Sequence, residues 1–220
     1  MLFFFVLVGA ARFSCIVGLV ERPLALGMIA GCATGHWDLA IALGIAFELV
    51  WLDAVAMGGV IPPFAGLAFL LVFPLALALG WSEPGPLLLP MVGAMLAAML
   101  GSLLEQRFRL RQNDVLEAGV TLDEGEEPAQ TPERIVKRAI VQRMLWHAGL
   151  YLASYASIAL GVALLLSLGL YPAMPDLPWP AVYVLALLGA VLSLRHKGAS
   201  VLFYLLLAAM AVILLWPYAK

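Results

Sequence analysis

The chain has 220 residues, 64% of them hydrophobic and 12% charged, with a mean hydropathy of +1.03 and a formal net charge of -2. A water-soluble globule needs about twice that share of charged residues to cover its surface. The composition excludes such a globule, a disordered tail and a nucleic-acid binder, and leaves an all-α polytopic membrane protein whose apolar surface faces lipid.

The charges divide the chain into three portions. Residues 1–104 carry seven, residues 105–143 carry fifteen and residues 144–220 carry four, so a charged linker separates two membrane-embedded portions. Cys15 and Cys32 stand alone in apolar stretches, without a C-x-x-C pattern, and imply neither a disulfide framework nor a metal site. Met1-Leu2-Phe3-Phe4-Phe5 lacks the positive n-region of a cleaved signal peptide, so the first apolar segment is expected to stay in the mature protein.

A spanning helix needs about 20 apolar residues, because roughly 30 Å of hydrocarbon must be crossed at about 1.5 Å per residue. Residues 2–20 qualify, although Arg12 interrupts them. Residues 24–35 contain Gly27, Gly31 and Gly35 and would rise only about 18 Å as a helix, so they are expected to form a short re-entrant or broken segment. Residues 39–57 are long enough to span and carry Glu48 and Asp53. Pro62-Pro63 then precedes a segment over 64–80, and Ser82-Glu83-Pro84-Gly85-Pro86 precedes one over 87–104.

Within 105–143, Asp123-Glu124-Gly125-Glu126-Glu127-Pro128 has the composition of a solvated linker. Thr131-Pro132-Glu133 then signals a helix start, with Thr as N-cap, Pro in the first turn and an acid beside it. Ile135, Val136, Ala139 and Ile140, with Arg134, Lys137, Arg138 and Arg143 among them, predict an amphipathic helix lying on the membrane surface and running into it. Apolar segments follow over 144–170, 179–194 and 199–216, which brings the expected total to six to eight. Seven of the twelve Lys and Arg residues lie in 105–143, and Arg195 and Lys197 lie two crossings later, so both basic loops are expected on the cytoplasmic side.

Glu48 is the most informative polar residue. A carboxylate at bilayer depth costs a few kcal/mol and normally faces a protein interior or a wet cavity. Trp51 follows within about one helical turn on the same face. A carboxylate accepts hydrogen bonds from neighbouring sugar hydroxyls and an indole covers the apolar face of a pyranose, so the two suit a sugar. The alternative is that Glu48 pairs with a basic residue such as Arg12 while Trp51 is a packing or lipid-facing aromatic. Asp53 lies roughly 140° round the helix from Glu48 and joins it only if the helix unwinds, for which Met57-Gly58-Gly59 and Pro62-Pro63 supply breakers. Arg12 either snorkels to an interface, the favoured placement, or serves as a buried counter-ion. His36 and Asp38 fall in the turn between two segments, where they either line a cavity tip or are solvated. His147 is expected at the interface, and the charges of 105–143 are expected to be mostly a solvated face. No metal-ligand spacing, nucleotide loop, nucleophile elbow or haem motif occurs, so no cofactor is expected.

Glu21-Arg22-Pro23-Leu24, the G-x-x-x-G after it, Gly35-His36-Trp37-Asp38, Phe47-Glu48-Leu49-Val50-Trp51-Leu52 and Gly58-Gly59-Val60-Ile61-Pro62-Pro63 together resemble one family. It is the C component of mannose/sorbose-type enzyme II, the integral-membrane sugar permease subunit of the bacterial phosphotransferase system. The resemblance covers about 21–63 and extends to Trp146-His147. It implies a multi-pass protein of the bacterial cytoplasmic membrane, itself non-catalytic. Such a subunit binds a hexose with a membrane D component, in a C–D complex that is a homo-oligomer, and passes the sugar to a soluble phosphorylated B component. It implies Glu48 as the foremost sugar ligand; Trp51, Asp53, Asp38 and His36 complete the candidate substrate-binding set. The chain departs from the family pattern at His36, at Gly44-Ile45-Ala46 before the acid, and at Phe64 after the two prolines. These departures motivate an alternative, a non-transporting scaffold or regulatory subunit that keeps the fold; an unrelated small-solute carrier is a third.

Residues 105–143 are the natural docking surface for soluble partners. Deletion of 118–130 removes no apolar span and is expected to leave membrane insertion intact, as judged by fractionation and protease protection; loss of insertion would give the linker a structural role.

Overall fold

The computed structural model describes residues 1–3, 6, 21–52, 61–120, 132–172, 177–193 and 205–206, with 112–120, 132–136 and 192–193 described as backbone alone. The described elements are all helical: α1 (Pro23–Thr34), α2 (Trp37–Val50), α3 (Ala65–Leu79), α4 (Pro84–Val120), α5 (Pro132–Ser167) and α6 (Trp179–Ser193). Arg12, Asp53, Gly58-Gly59 and most of the segments expected over 2–20 and 199–216 lie outside the described residues.

α1 has 12 residues and α2 has 14, so neither alone covers the roughly 30 Å of a hydrocarbon core. The helix expected over 39–57 runs instead over 37–50 and gives way to a turn at Trp51-Leu52. The two short helices form an antiparallel hairpin with the most extensive mutual packing in the structure. The G-x-x-x-G of α1 explains the closeness. A Cβ on Gly27 would stand 2.6 Å from the Ala40 carbonyl oxygen, and one on Gly31 would stand 2.8 Å from the Trp37 ring. Gly27 lets one backbone lie directly on the other, the usual means of close helix association in membranes, and Gly31 makes room for the Trp37 ring.

α3 sits at the centre, against α1, α2, α4 and α5. Leu67 through Phe73 are all buried, which is why this helix is apolar on every face rather than along a stripe. It ends in a glycine in the left-handed region, Gly80 at φ 67°, and α5 ends the same way at Gly169, φ 64°. In both, the glycine N–H and the next N–H turn back onto carbonyls of the last turn, Leu77 and Ala76 in α3, Leu166 and Leu165 in α5.

α4 has 37 residues and α5 has 36, each about 55 Å long and well in excess of a bilayer core. The segment expected over 87–104 is thus part of a helix that continues into the charged region. The amphipathic stretch after Pro132 is likewise continuous with the segment after it. The apolar parts, Pro84–Arg111 and Lys137–Ser167, are long and apolar enough to cross a membrane. Their outward residues include Leu145 at 67% and Leu160 at 70% exposure, a surface that lipid solvates and water would not.

Two prolines interrupt helices from inside, Pro74 in α3 and Pro90 in α4. Lacking an N–H, each leaves the carbonyl four residues earlier without its helical donor. Leu70 is that residue in α3, and its oxygen accepts a hydrogen bond from the Tyr151 hydroxyl of α5 at 3.2 Å. Pro86 is that residue in α4, and its oxygen accepts one from the Tyr171 hydroxyl at 2.5 Å. Burial pushes the Tyr171 phenol up, which keeps it a donor. Both tyrosines belong to the second half of the chain, so the second half completes the backbone hydrogen bonding of the first.

Tyr151→Phe keeps the ring and removes the donor to Leu70. It is expected to destabilise the protein by about 1–3 kcal/mol, the cost of an unsatisfied buried carbonyl, read as a lowered melting temperature in detergent or lipid nanodiscs.

Candidate functional site

The polar residues of the first half meet where the start of α1, the end of α2 and the start of α3 converge. Pro23 is well placed to open α1, because its missing N–H is at a position that makes no intrahelical bond. Arg22 in the N-cap position offers no side-chain cap of its own. The cap comes from another helix. Glu48, in the last turn of α2, accepts a hydrogen bond from the Leu24 N–H on Oε2 at 3.4 Å and pairs through Oε1 with Arg22 Nη1 at 3.2 Å. A carboxylate at a helix N-terminus is favoured by the dipole as well as by the bond. Gly44, one turn earlier in α2, makes this approach possible, since a Cβ there would lie 3.0 Å from the Pro23 carbonyl oxygen.

Among the described residues the cationic partner of Glu48 is Arg22, in the family-like run itself; Arg12, the partner suggested by sequence, lies outside the described residues. The pair is not sealed: the Glu48 side chain is 19% exposed and that of Arg22 40%. Trp51 closes α2 as its C-cap and stacks on the buried Phe47 with ring centroids 6.2 Å apart and planes 15° from parallel. One turn of helix thus brings Glu48 and Trp51 to the same end of the bundle, with Trp51 also packing against the core.

His36 and Asp38 are elsewhere. Both are exposed at the turn between α1 and α2, and the rise from Asp38 to Glu48 along α2 is about 15 Å. That end of the bundle is aromatic. Trp81 packs on Tyr171 at 5.3 Å, and the Trp179 indole N–H donates to the Ser82 carbonyl at 3.3 Å. Such rings suit a membrane–water boundary.

A second polar cluster lies at the Glu48 end, where the sequence suggested solvated charge. Glu105 of α4 is completely buried, and its Oε1 accepts from Arg109 Nε at 2.9 Å and from Arg143 Nη2 of α5 at 2.9 Å. His147, expected at an interface, is also completely buried. Its Nδ1 lies 2.8 Å from the Arg143 carbonyl oxygen, which can only accept, so Nδ1 carries the proton. The ring meets Phe64 edge-on at 5.8 Å. The pattern that could have pointed to this cluster is Glu105 and Arg109 one turn apart directly after an apolar run. Sequence alone says nothing of Arg143 closing on them from another helix. Among the described residues no three His, Cys, Asp or Glu side chains gather in a way that could hold a metal ion.

Short apolar helices packed together, backed by two long helices with lipid-suited faces, define a helical membrane protein. Residues 1–114 match the family described as the PTS system sorbose-specific IIC component, and the chain belongs to that family. Its place is thus among the sugar-specific membrane components of the phosphotransferase system, which act on a sugar together with other components of that system. Neither a curated protein nor a solved structure matches the chain.

Glu48→Ala removes both the partner of Arg22 and the cap of α1. It is expected to destabilise the protein by about 1 kcal/mol, since a partly exposed ion pair contributes little and a cap about that much. Arg22→Gln, which leaves the cap in place, is expected to cost less. Thermal unfolding of the two variants checks the order; an equal or larger loss for Arg22→Gln would make the ion pair the dominant contact.

Proposed function

We propose that this protein is the hexose-binding C subunit of a sugar phosphotransferase complex in the bacterial cytoplasmic membrane. With a membrane D component it takes up a hexose, which a soluble phosphorylated B component converts to the sugar phosphate during entry. The observation that carries the reading is the Arg22–Glu48 pair, half-open at the convergence of three helix ends. A sugar hydroxyl both donates and accepts. A carboxylate has about four acceptor positions and a guanidinium five donors, and the Glu48–Arg22 and Glu48–Leu24 contacts occupy only some of them. The pair can therefore meet adjacent hydroxyls with both kinds of partner at once. Trp51 offers a ring face beside it, and Asp53, two residues further, is the remaining acceptor in this reading. His36 and Asp38, at the opposite end of the hairpin, belong to a first-encounter position rather than to the same bound sugar. Residues 105–143 are the surface for the B component.

A second reading is a non-transporting scaffold that keeps the fold and its association with the D and B components. It is favoured by the same contacts seen differently, because Glu48 already has a cation and a helix terminus to satisfy it.

Uptake of labelled hexoses by cells carrying the whole complex separates the two. Glu48→Gln, which retains an acceptor for Leu24, is expected to abolish uptake with no fall in the amount of protein in the membrane. Unchanged uptake would remove Glu48 from the site. Absence of uptake by the unaltered complex, with the components still associated, would favour the scaffold.

A further inference from the structure

We propose that His147 and Glu105 are positioning residues for the sugar site, acting through Phe64; the link to sugar rests on the functional reading above, the mechanical link does not. A continuous series of contacts joins the two clusters. Glu105 Oε1 holds Arg143 Nη2 at 2.9 Å across the α4–α5 interface. The Arg143 carbonyl accepts from His147 Nδ1 at 2.8 Å, which fixes the imidazole's rotation as well as its tautomer. The imidazole abuts the Phe64 ring at 5.8 Å in an edge-to-face arrangement. Phe64 is set from its other sides by α4, its N–H donating to the Ala98 carbonyl at 3.3 Å. Gly101 leaves room for its ring, since a Cβ there would stand 2.7 Å from Phe64 Cδ2.

Phe64 is the N-cap residue of α3, directly after Ile61-Pro62-Pro63. The first turn of α3 bears on the segment that carries Arg22. A Cβ on Gly66 would lie 2.6 Å from the Glu21 carbonyl oxygen, so the backbones of these segments are in direct contact. Displacing Phe64 therefore displaces the start of α3, and with it the backbone on which Arg22 meets Glu48. Pro62 and Pro63 have no N–H to offer, so Phe64, through its N–H on the Ala98 carbonyl and its buried ring, is an anchor of this segment. A charged cluster is a costly way to fill a helix interface, and an apolar one of equal volume would pack as well. It supplies directional contacts that an apolar filling lacks: Glu105 Oε1 accepts from both guanidiniums, and the Arg143 carbonyl holds the His147 ring that meets Phe64.

The test uses the full chain in lipid nanodiscs with Cys15→Ser and Cys32→Ser, and a reporter Ile61→Cys whose rate of maleimide labelling is measured. His147→Leu, Glu105→Gln and Phe64→Leu are each expected to raise that rate about tenfold, a coupling ordinary for residues in direct contact, and the His147→Leu/Phe64→Leu pair to raise it no further than either alone. Unchanged labelling in His147→Leu, Glu105→Gln or Phe64→Leu, or fully additive effects in the pair, would overturn the proposal. If His147→Leu does not fold, the milder His147→Gln takes its place, and unchanged labelling in it would overturn the proposal. In parallel, His147→Leu is expected to raise the half-saturating hexose concentration for uptake with a smaller change in maximal rate. Uptake absent from the unaltered complex would sink the functional reading and leave the labelling result standing. Altered labelling with an unaltered uptake profile would show that Phe64 is held by the cluster but does not position the site, and would overturn the proposal.

Discussion

The fold depends on one constraint: a backbone N–H or C=O away from water has to find a partner inside the protein. A bundle of long, uninterrupted helices meets it automatically. This chain does not take that course, since α1, α2 and α3 are short and two of the helices carry an internal proline. Each resulting deficit is met from another element. Glu48 of α2 serves the start of α1, the Ala98 carbonyl of α4 serves the N–H of Phe64, and Tyr151 and Tyr171 serve the carbonyls that Pro74 and Pro90 leave behind. The two halves of the chain are thus bound together by hydrogen bonds that neither could make alone.

The same constraint explains where the charges sit. A carboxylate in an apolar bundle needs cations or donors close by, and the two carboxylates at this end meet the need differently. Glu105 is completely buried and takes two guanidiniums, an arrangement that is costly to break because removal of one member leaves another uncompensated. Glu48 keeps some exposure and, among the described residues, takes one guanidinium and a helix terminus. The first is suited to holding geometry, the second to exchanging partners with a polar solute. Phe64 lies between them, against His147 on one side and two residues from Gly66, which meets the Glu21 carbonyl, on the other.

Much of this architecture was legible in the amino-acid order. The membrane class and the shortness of the segment after Pro23 follow from local composition and spacing, which act through physics that does not depend on distant partners, and the family was legible as a resemblance in the motifs of 21–63. That Glu48 would need partners was legible for the same reason, because a carboxylate in an apolar run announces an unmet solvation requirement whatever its surroundings. What satisfies that requirement was not. Arg12 and Arg22 are equivalent candidates as letters. Only the antiparallel packing of α1 on α2, with Gly44 against Pro23, brings Arg22 within 3.2 Å.

Hydropathy also misled in a specific way. It ends a segment where charge begins, so α4 was divided near residue 104 and Glu105 was assigned to water, although the helix continues and buries that side chain. The separation of His36 and Asp38 from Glu48 was equally beyond a linear reading, since it depends on which end of a hairpin each residue occupies. By itself, then, the sequence determined the solvent, the helical periodicity and the residues whose polarity demands an answer, since these are properties of short windows of chain. The tertiary structure alone decided the answers, because ion pairs and hydrogen bonds between helices depend on distances of a few ångströms between residues far apart in the chain.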